Sequence, residues 1–479
     1  MSDTDSTTTT AFEPVVGGER AAEALEAALR DAPADRIEAF LTGRRGDFTR
    51  FAGRRVHQSQ AIDEVQIMVR AEVDGRASLA AASSISGLGR AVANASAAAR
   101  EQARQGLPAA PPRAEPGPVD EPVVSGRTAS GALLWGEDTA AWDVGEHVAL
   151  ADRAMAEADR AGGVAAGMFG RAVTEVAFHD RERGTSRYAA ATEAQGSLTV
   201  RIDDGSSHWK DLSRSSDRLL AAESVERTLS EASATRGRAP LAPGEYDVVL
   251  GALAAGEFLD FFGAFGFTGG ALASGFGTAA TRAGEQAASS LVSVHDDATA
   301  DLGLPFPFDF QGTTKRDVPF LDHGRVAEVV TDRETAFALG TASTGNFHIA
   351  REEAPHAIPM NVILRAADTT ELDLIAGVER GVYLQRFWYT RTVDPVRSTI
   401  TGVTRDACFL IENGRITRPV ESQRFTVSVL DSLARVDGVG SVSLSQPLMN
   451  VFNGAATAPP LRIRGFALGT APAPKGATA

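Results

Sequence analysis

The chain is poor in cysteine, in lysine and in net basic charge. Its 479 residues hold one cysteine, Cys408. A single thiol excludes an internal disulfide framework and suits a reducing cytoplasm. Its lysines are Lys210, Lys315 and Lys475, so nearly all basic charge is arginine. With so much alanine and glycine, that reads as the codon bias of a GC-rich bacterial genome. Lys plus Arg total 47 against 62 Asp plus Glu, a net charge of -15. An acidic surface repels phosphate backbones, which argues against nucleic acid as a partner. A membrane-spanning run is lacking too. The uncharged stretch Phe261–Thr281 has six glycines and four Ser/Thr, a poor lipid-facing helix. Met1–Thr10 is polar and acidic, without the apolar core of a signal peptide. The expectation is a cytoplasmic protein that binds neither nucleic acid nor membrane. No Walker loop and no G-x-S-x-G elbow is found.

This length exceeds one ordinary core, so two domains are expected. The fold class expected is α+β. A mixed α/β domain with antiparallel strands spans 18–238, and a β-rich domain spans 239–468. Tails at 1–17 and 469–479 are read as disordered, and 106–122, with six prolines, as an exposed connection. Helical spacing marks Gly18–Asp31, Ser86–Gln105, Val144–Arg160, Ala221–Ala234 and a helix from Ala252. Strands are expected at Arg36–Leu41, Phe48–Val56, Ile62–Val73 and Arg76–Ala82, with a hairpin turn at Asp74-Gly75. Four more follow: Val164–Phe169, Val173–His179, Thr185–Ala191 and Gly196–Ile202.

The most informative stretch is Gly381–Val427. Val382–Arg391 alternates as a strand does. Val382, Leu384, Arg386, Trp388 and Thr390 fall on one face, Tyr383, Gln385, Phe387, Tyr389 and Arg391 on the other. Asp394-Pro395 breaks the run, and Asn413-Gly414 signals a hairpin turn. A compact antiparallel meander is expected. Its polar residues, among them Arg386, Arg391, Arg405 and Asp406, suit a salt-bridged sheet face.

The runs L-Q-R-F-W-Y-T-R-T-V-D-P, T-G-V-T-R-D and F-L-I-E-N-G-R-I within this stretch resemble the C-terminal part of the TldD/PmbA family. Pro307–Asn346, ending in Ser343–Asn346 (S-T-G-N), and Arg55–Gln58 (R-V-H-Q) resemble the same family, so the likeness covers roughly Phe48 to Leu468. In its metal-bearing members an H-E-x-x-x-H motif lies on the helix after the strand that opens the second domain. A later cysteine completes a zinc site. Zinc polarises a peptide carbonyl and lowers the pKa of its bound water to about 7. The equivalent positions here are Asp260 for the first histidine, Phe261 for the glutamate and Phe265 for the second histidine. The cysteine stretch corresponds to Asp437–Gln446, which holds serines and no cysteine.

The resemblance therefore implies the zinc-free TldE/PmbA-type subunit, with no catalytic residue, no metal and no cofactor of its own. Zinc belongs to a TldD-like partner in a heterodimer that degrades or trims unfolded peptides. Arg386, Tyr389 and Arg391 are the peptide-binding candidates, facing an extended peptide. The alternatives are a free-standing homodimeric peptide-binding protein and a hydrolase with another, non-zinc site. His295-Asp296-Asp297 is the most ligand-like cluster elsewhere. On a strand its neighbours would point to opposite faces and could not converge. Phe258, Phe261, Phe262 and Phe265 form one helical stripe, expected to face a core or a partner.

Overall fold

Tight turns with left-handed backbone set the architecture. At Gly53-Arg54 the φ angles are 56° and 66°, and at Asp74-Gly75 they are 71° and 47° for the glycine and the aspartate. Two consecutive positive φ values close a hairpin whose twist matches its strands. The computed structural model describes residues 12–116, 126–219, 221–348, 356–448 and 454–469. Most of both expected tails and residues 117–122 of the connection lie outside these.

The turns join β1 (Arg36–Ala52), β2 (Arg55–Val73) and β3 (Arg76–Ala82). With β4 (Val164–Asp180), β5 (Thr185–Ile202) and β6 (Gly205–Ser213) they make one antiparallel sheet, ordered β3-β2-β1-β4-β5-β6. The sequence divides β1, β4 and β5 into shorter pieces, and here the structure differs. Register is continuous across the gaps, glycines included, as where Gly43 pairs with Glu175 and Gly170 with Gln195. A Cβ at Gly43 would lie 2.2 Å from the Glu175 carboxylate. Glycine is there so that a large side chain can cross it, not to end the strand. The expected strand Phe48–Val56 in fact contains the Gly53-Arg54 turn, and β6 was not foreseen.

Helices α1 (Gly18–Arg30), α2 (Leu88–Arg104), α4 (Val144–Arg160) and α5 (Ala221–Ala234) pack on this sheet; α3 (Glu137–Ala141) is a single turn. Asp143 caps α4 in a reciprocal box with Glu146. Residues of opposite parity, Phe40, Val176 and Phe178, meet Phe306 and Phe308 of the C-terminal half. The described part of the N-terminal stretch is packed: Phe12 is buried beneath the Arg171 guanidinium. In the connection, Arg113 is anchored to Glu38 at 2.6 Å and Glu334 at 3.0 Å.

The C-terminal half opens with β7 (Gly244–Leu250) and α6 (Ala252–Gly266). One sheet is ordered β10-β9-β8-β13-β20-β19, from β8 (Val294–Asp297), β9 (Asp317–Asp322), β10 (Arg325–Val326), β13 (Asn361–Leu364), β19 (Leu444–Pro447) and β20 (Ala455–Ala458). A small hairpin pairs β11 (Phe347–His348) with β12 (His356–Ala357). The other sheet runs β16-β15-β14-β7-β21-β18, with β17 (Arg424–Ser428) also on β15. Its members are β14 (Arg380–Asp394), β15 (Thr399–Glu412), β16 (Arg415–Pro419), β18 (Val436–Val439) and β21 (Leu461–Leu468). Asn413-Gly414 turns β15 into β16 with φ of 52° and 73°. Helix α6 lies between the two sheets. Phe258 meets Phe387 and Phe466, while Phe262 meets Phe267, which stacks on Phe320. The fold class is α+β.

Candidate functional site

Helix α6 is apolar on nearly every side, yet it carries two carboxylates one turn apart, Glu257 and Asp260. Thr390 on β14 donates a hydrogen bond to Glu257 Oε2 at 2.9 Å. Burial raises the Glu257 carboxyl above its usual range, against the pull of that hydrogen bond, Lys210 and Arg386. Lys210, on β6, is drawn below the usual lysine range by burial, although Glu257 and Asp260 oppose the shift. Arg386 completes the group. Its Nε lies 2.5 Å from Asp406 Oδ2, and both side chains are largely buried. Three chain segments far apart in sequence thus bring two acids and two bases to one side of α6. Lys210 and Glu257 were not picked out from the sequence. The clue was available, because Lys210 is one of only three lysines.

The expected alternation along β14 fails at Gln385. The ladder to β15 shifts between Leu384 and Arg386 and again between Trp388 and Arg391. The first bulge puts Phe387 into the core with Val382 and Leu384. It also turns the Gln385 amide outward from the ladder. Gln385 Nε2 donates to Glu231 Oε2 at 2.7 Å and Ser207 Oγ at 2.9 Å. Its Oε1 accepts from the His208 amide at 3.0 Å. One side chain therefore ties β14 to β6 and α5. A cavity of about 270 Å³ opens beside it, with Glu231, Glu371, Tyr383 and the first turn of α6 on its wall.

The second bulge gives Tyr389 a φ of 58°. Such backbone is uncommon for a bulky residue and is stored where the surroundings fix it. Tyr389 is 70% exposed and Trp388 45% exposed. Arg391 lies over the Tyr389 ring at 4.9 Å, and Arg405 and Arg386 lie over Trp388 at 4.6 and 5.1 Å. Of the three peptide-binding candidates, Arg386 is committed to Asp406, while Tyr389 and Arg391 are exposed and adjacent.

The positions aligned with a zinc motif do not fit a metal ion. Zinc needs nitrogen, sulfur or carboxylate donors converging at about 2.0–2.3 Å. Phe261 and Phe265 have none. Phe261 is buried, but Phe265 is 41% exposed, so the Phe stripe faces the core over three residues rather than four. Gln446, from the stretch aligned with the missing cysteine, reaches α6 and donates to Leu253 O at 3.3 Å. Cys408 is buried in β15, its thiol pushed up to about 11 by burial. Among the described residues no three His, Cys, Asp or Glu side chains are placed to hold an ion. His295, Asp296 and Asp297 are spent on separate partners. His295 Nδ1 meets Asp317 at 2.8 Å, Asp297 meets Arg365 at 2.6 Å, and Asp296 accepts from the Asn361 amide at 2.6 Å. No described helix is long and apolar enough to cross a membrane.

Residues 243–470 match the model of the PmbA/TldA metallopeptidase C-terminal domain. A metalloprotease of Methanothermobacter thermautotrophicus is 32% identical over 158 residues, 33% of this chain and 34% of that protein. A TldD homologue, a metalloprotease of Haemophilus influenzae, is 28% identical over 230 residues, 47% of this chain and 46% of its own. The chain thus matches about a third to a half of the length of these curated relatives. The crystal structure of TldE from Thermococcus kodakarensis superposes with a TM-score of 0.80 at 18% identity, covering 93% of this chain and 100% of that one.

Proposed function

We propose that this chain, which belongs to the TldD/PmbA family and has the fold of TldE, is a zinc-free, non-catalytic subunit of a two-chain metallopeptidase. In this reading it helps a zinc-bearing, TldD-like partner act on unfolded peptides in the cytoplasm. The observation that carries the reading is the chemistry of α6. Where a metallopeptidase would present donors to zinc, this helix presents Phe261 to the core and holds its two carboxylates against Lys210 and Arg386. Zinc, in the partner, would supply the Lewis acid and the activated water. The residues of this chain would bind and orient.

The exposed Trp388, Tyr389 and Arg391 supply the contact chemistry. Aromatic and arginine side chains dominate the energetics of protein interfaces. They stand on a bulged strand beside α6, where the peptide and the partner would meet. A homodimeric peptide-binding protein is the second reading, and the same exposed patch favours it. The test is to purify the chain alone and with an intact H-E-x-x-x-H chain from the same organism. A stable complex is expected, with one zinc per pair and peptide cleavage by the pair only. Stoichiometric zinc and cleavage in the isolated chain would overturn the reading.

A further inference from the structure

A further cavity, with no residue of α6 in its lining, lies on the face of the first sheet. It holds about 370 Å³ between β1–β3 and the segments carrying Phe310 and Phe347. Cross-strand register explains its floor. Phe40, Met68 and Ala81 form one row, and Glu38, Arg70 and Leu79 the next. Phe40 stacks on Phe310 with centroids 4.9 Å apart. The charged groups of the wall are already engaged. Arg113 holds Glu38 at 2.6 Å, Gln311 holds Glu334 at 2.8 Å, and the Thr335 amide holds Asp332 at 2.7 Å. Arg70 pairs with Glu72 at 3.4 Å, so the ionic groups are paired and the greater part of the remaining lining is apolar and aromatic; a charged group entering it would lose its hydration without a partner.

The rows end at an open edge. Among the described residues β3 is paired only to β2. Between Arg76 and Ala82 its one polar residue is Ser78. Its one charge, Arg76 at the first position, donates to Leu107 O, and beyond it there is neither proline nor charge, the usual devices that keep a strand edge from pairing. Leu79 is 48% exposed. A strand laid along β3 would stand about 4.8 Å away and continue both rows. Every second side chain of it would point toward the cavity.

We propose that the edge of β3 and this cavity form a docking site for an extended peptide. Its backbone pairs with β3, and one large apolar side chain fills the space beside Phe40, Met68 and Leu79. Backbone pairing gives affinity without sequence preference, and the cavity adds preference for an apolar residue. The proposal rests on the peptide reading above but needs neither cleavage nor a partner.

The experiment uses the full chain alone and fluorescein-labelled twelve-residue peptides of glycine, serine and threonine with one central residue varied. Phenylalanine at the centre should bind at least about tenfold tighter than alanine, as one buried ring allows. Aspartate should bind weakest. Leu79→Lys, a change at an exposed edge position, should weaken every peptide. Met68→Trp, which fills the cavity, should abolish the preference for phenylalanine while leaving the alanine peptide bound. Equal affinity for the phenylalanine and alanine peptides, or indifference to Leu79→Lys, would overturn the site. So would sedimentation showing that a second copy occupies the edge, as a dimer dissociated by Leu79→Lys. Failure here leaves the two-chain reading standing, because that reading is tested by complex formation and zinc content. Failure of that reading leaves peptide binding by the isolated chain standing.

Discussion

Placing Asp260→His, Phe261→Glu and Phe265→His in one variant rebuilds the letters of a zinc motif on α6, and it should yield an unstable protein without zinc. The geometry comes first. Positions 260 and 265 are five residues apart, about 140° around an ideal helix. The helix is uninterrupted from Ala252 to Gly266, so nothing brings the two positions onto one side. The energetics follow from burial. Phe261 is 8% exposed and belongs to the core that joins the two C-terminal sheets. Losing a buried phenylalanine ring costs about 3–5 kcal/mol, and a carboxyl left there without a partner adds about 1–3 kcal/mol. Phe265 is 41% exposed, so its replacement should cost only on the order of 1 kcal/mol. Asp260 is one of the two acids that offset Lys210, and histidine there removes that charge. The sum is dominated by Phe261. It corresponds to a fall in melting temperature of roughly 10 °C for a domain of this size. Calorimetry, elemental analysis and peptide cleavage read the three outcomes. The single variant Phe261→Glu should carry most of the loss, and Phe265→His little of it. A triple variant that melts like the parent, holds one zinc and cleaves peptide would refute the reasoning. So would a stable Phe261→Glu.

Asp211 accepts from the Ser445 and Leu212 amides, and burial pushes its carboxyl up to about 7. Its folded pKa lies above its unfolded one, so its stabilising contribution is full below about pH 4 and is lost as pH rises through about 7. Asp211→Asn should flatten the fall in stability between about pH 4 and 7 in denaturant titrations. Glu371, also pushed up to about 7 by burial and by Glu231, has the same sign, so the slope should shrink rather than vanish. An unchanged slope counts against the assignment. Gln385→Ala removes the amide that holds Ser207, Glu231 and the His208 N–H. A loss of about 2–4 kcal/mol is expected from the buried groups left unpaired. A urea midpoint within about 0.5 kcal/mol of the parent would contradict the role of the bulge.

Helices were the legible part of the sequence. Val144–Arg160 and Ala221–Ala234 match their expected bounds, because a capping aspartate and a 3.6-residue apolar rhythm are local signals. Turns of the Asp-Gly and Asn-Gly type were legible for the same reason. What was lost depends on neighbours. Gly43 and Gly170 look like breaks until the side chains crossing them are known. Strand β6 reads S-S-H-W-K-D, with no apolar alternation, because its partners at the site are polar: the Gln385 amide and the Glu231 carboxylate. The bulge at Gln385 leaves the residue types unchanged and reverses their faces, so alternation alone put Phe387 on the wrong side. The exposed end of the Phe stripe is a matter of where the next layer stops, which the helix itself cannot encode. Of the site, the meander could be read, but not the lysine from the other half of the chain.

That lysine bears on the zinc-free reading proposed for α6. Missing ligands alone would leave an empty place that two or three substitutions could refill. Here Glu257 and Asp260, the acids on the polar side of α6, already face a cation supplied by the protein, Lys210 from β6, with Arg386, itself paired to Asp406, beside it. A divalent ion brought to α6 would meet the Lys210 ammonium in a partly buried setting, where repulsion is weakly screened. Its ligands would have to overcome that repulsion as well as converge. Lys210 lies on β6 two residues from His208, whose amide is held by Gln385 of β14. The offsetting of the α6 carboxylates and the joining of the two halves of the chain are therefore met by neighbouring residues, Lys210 and Gln385. A site built this way holds α6 and the exposed Trp388–Arg391 segment in fixed relation, as a surface that orients another molecule requires.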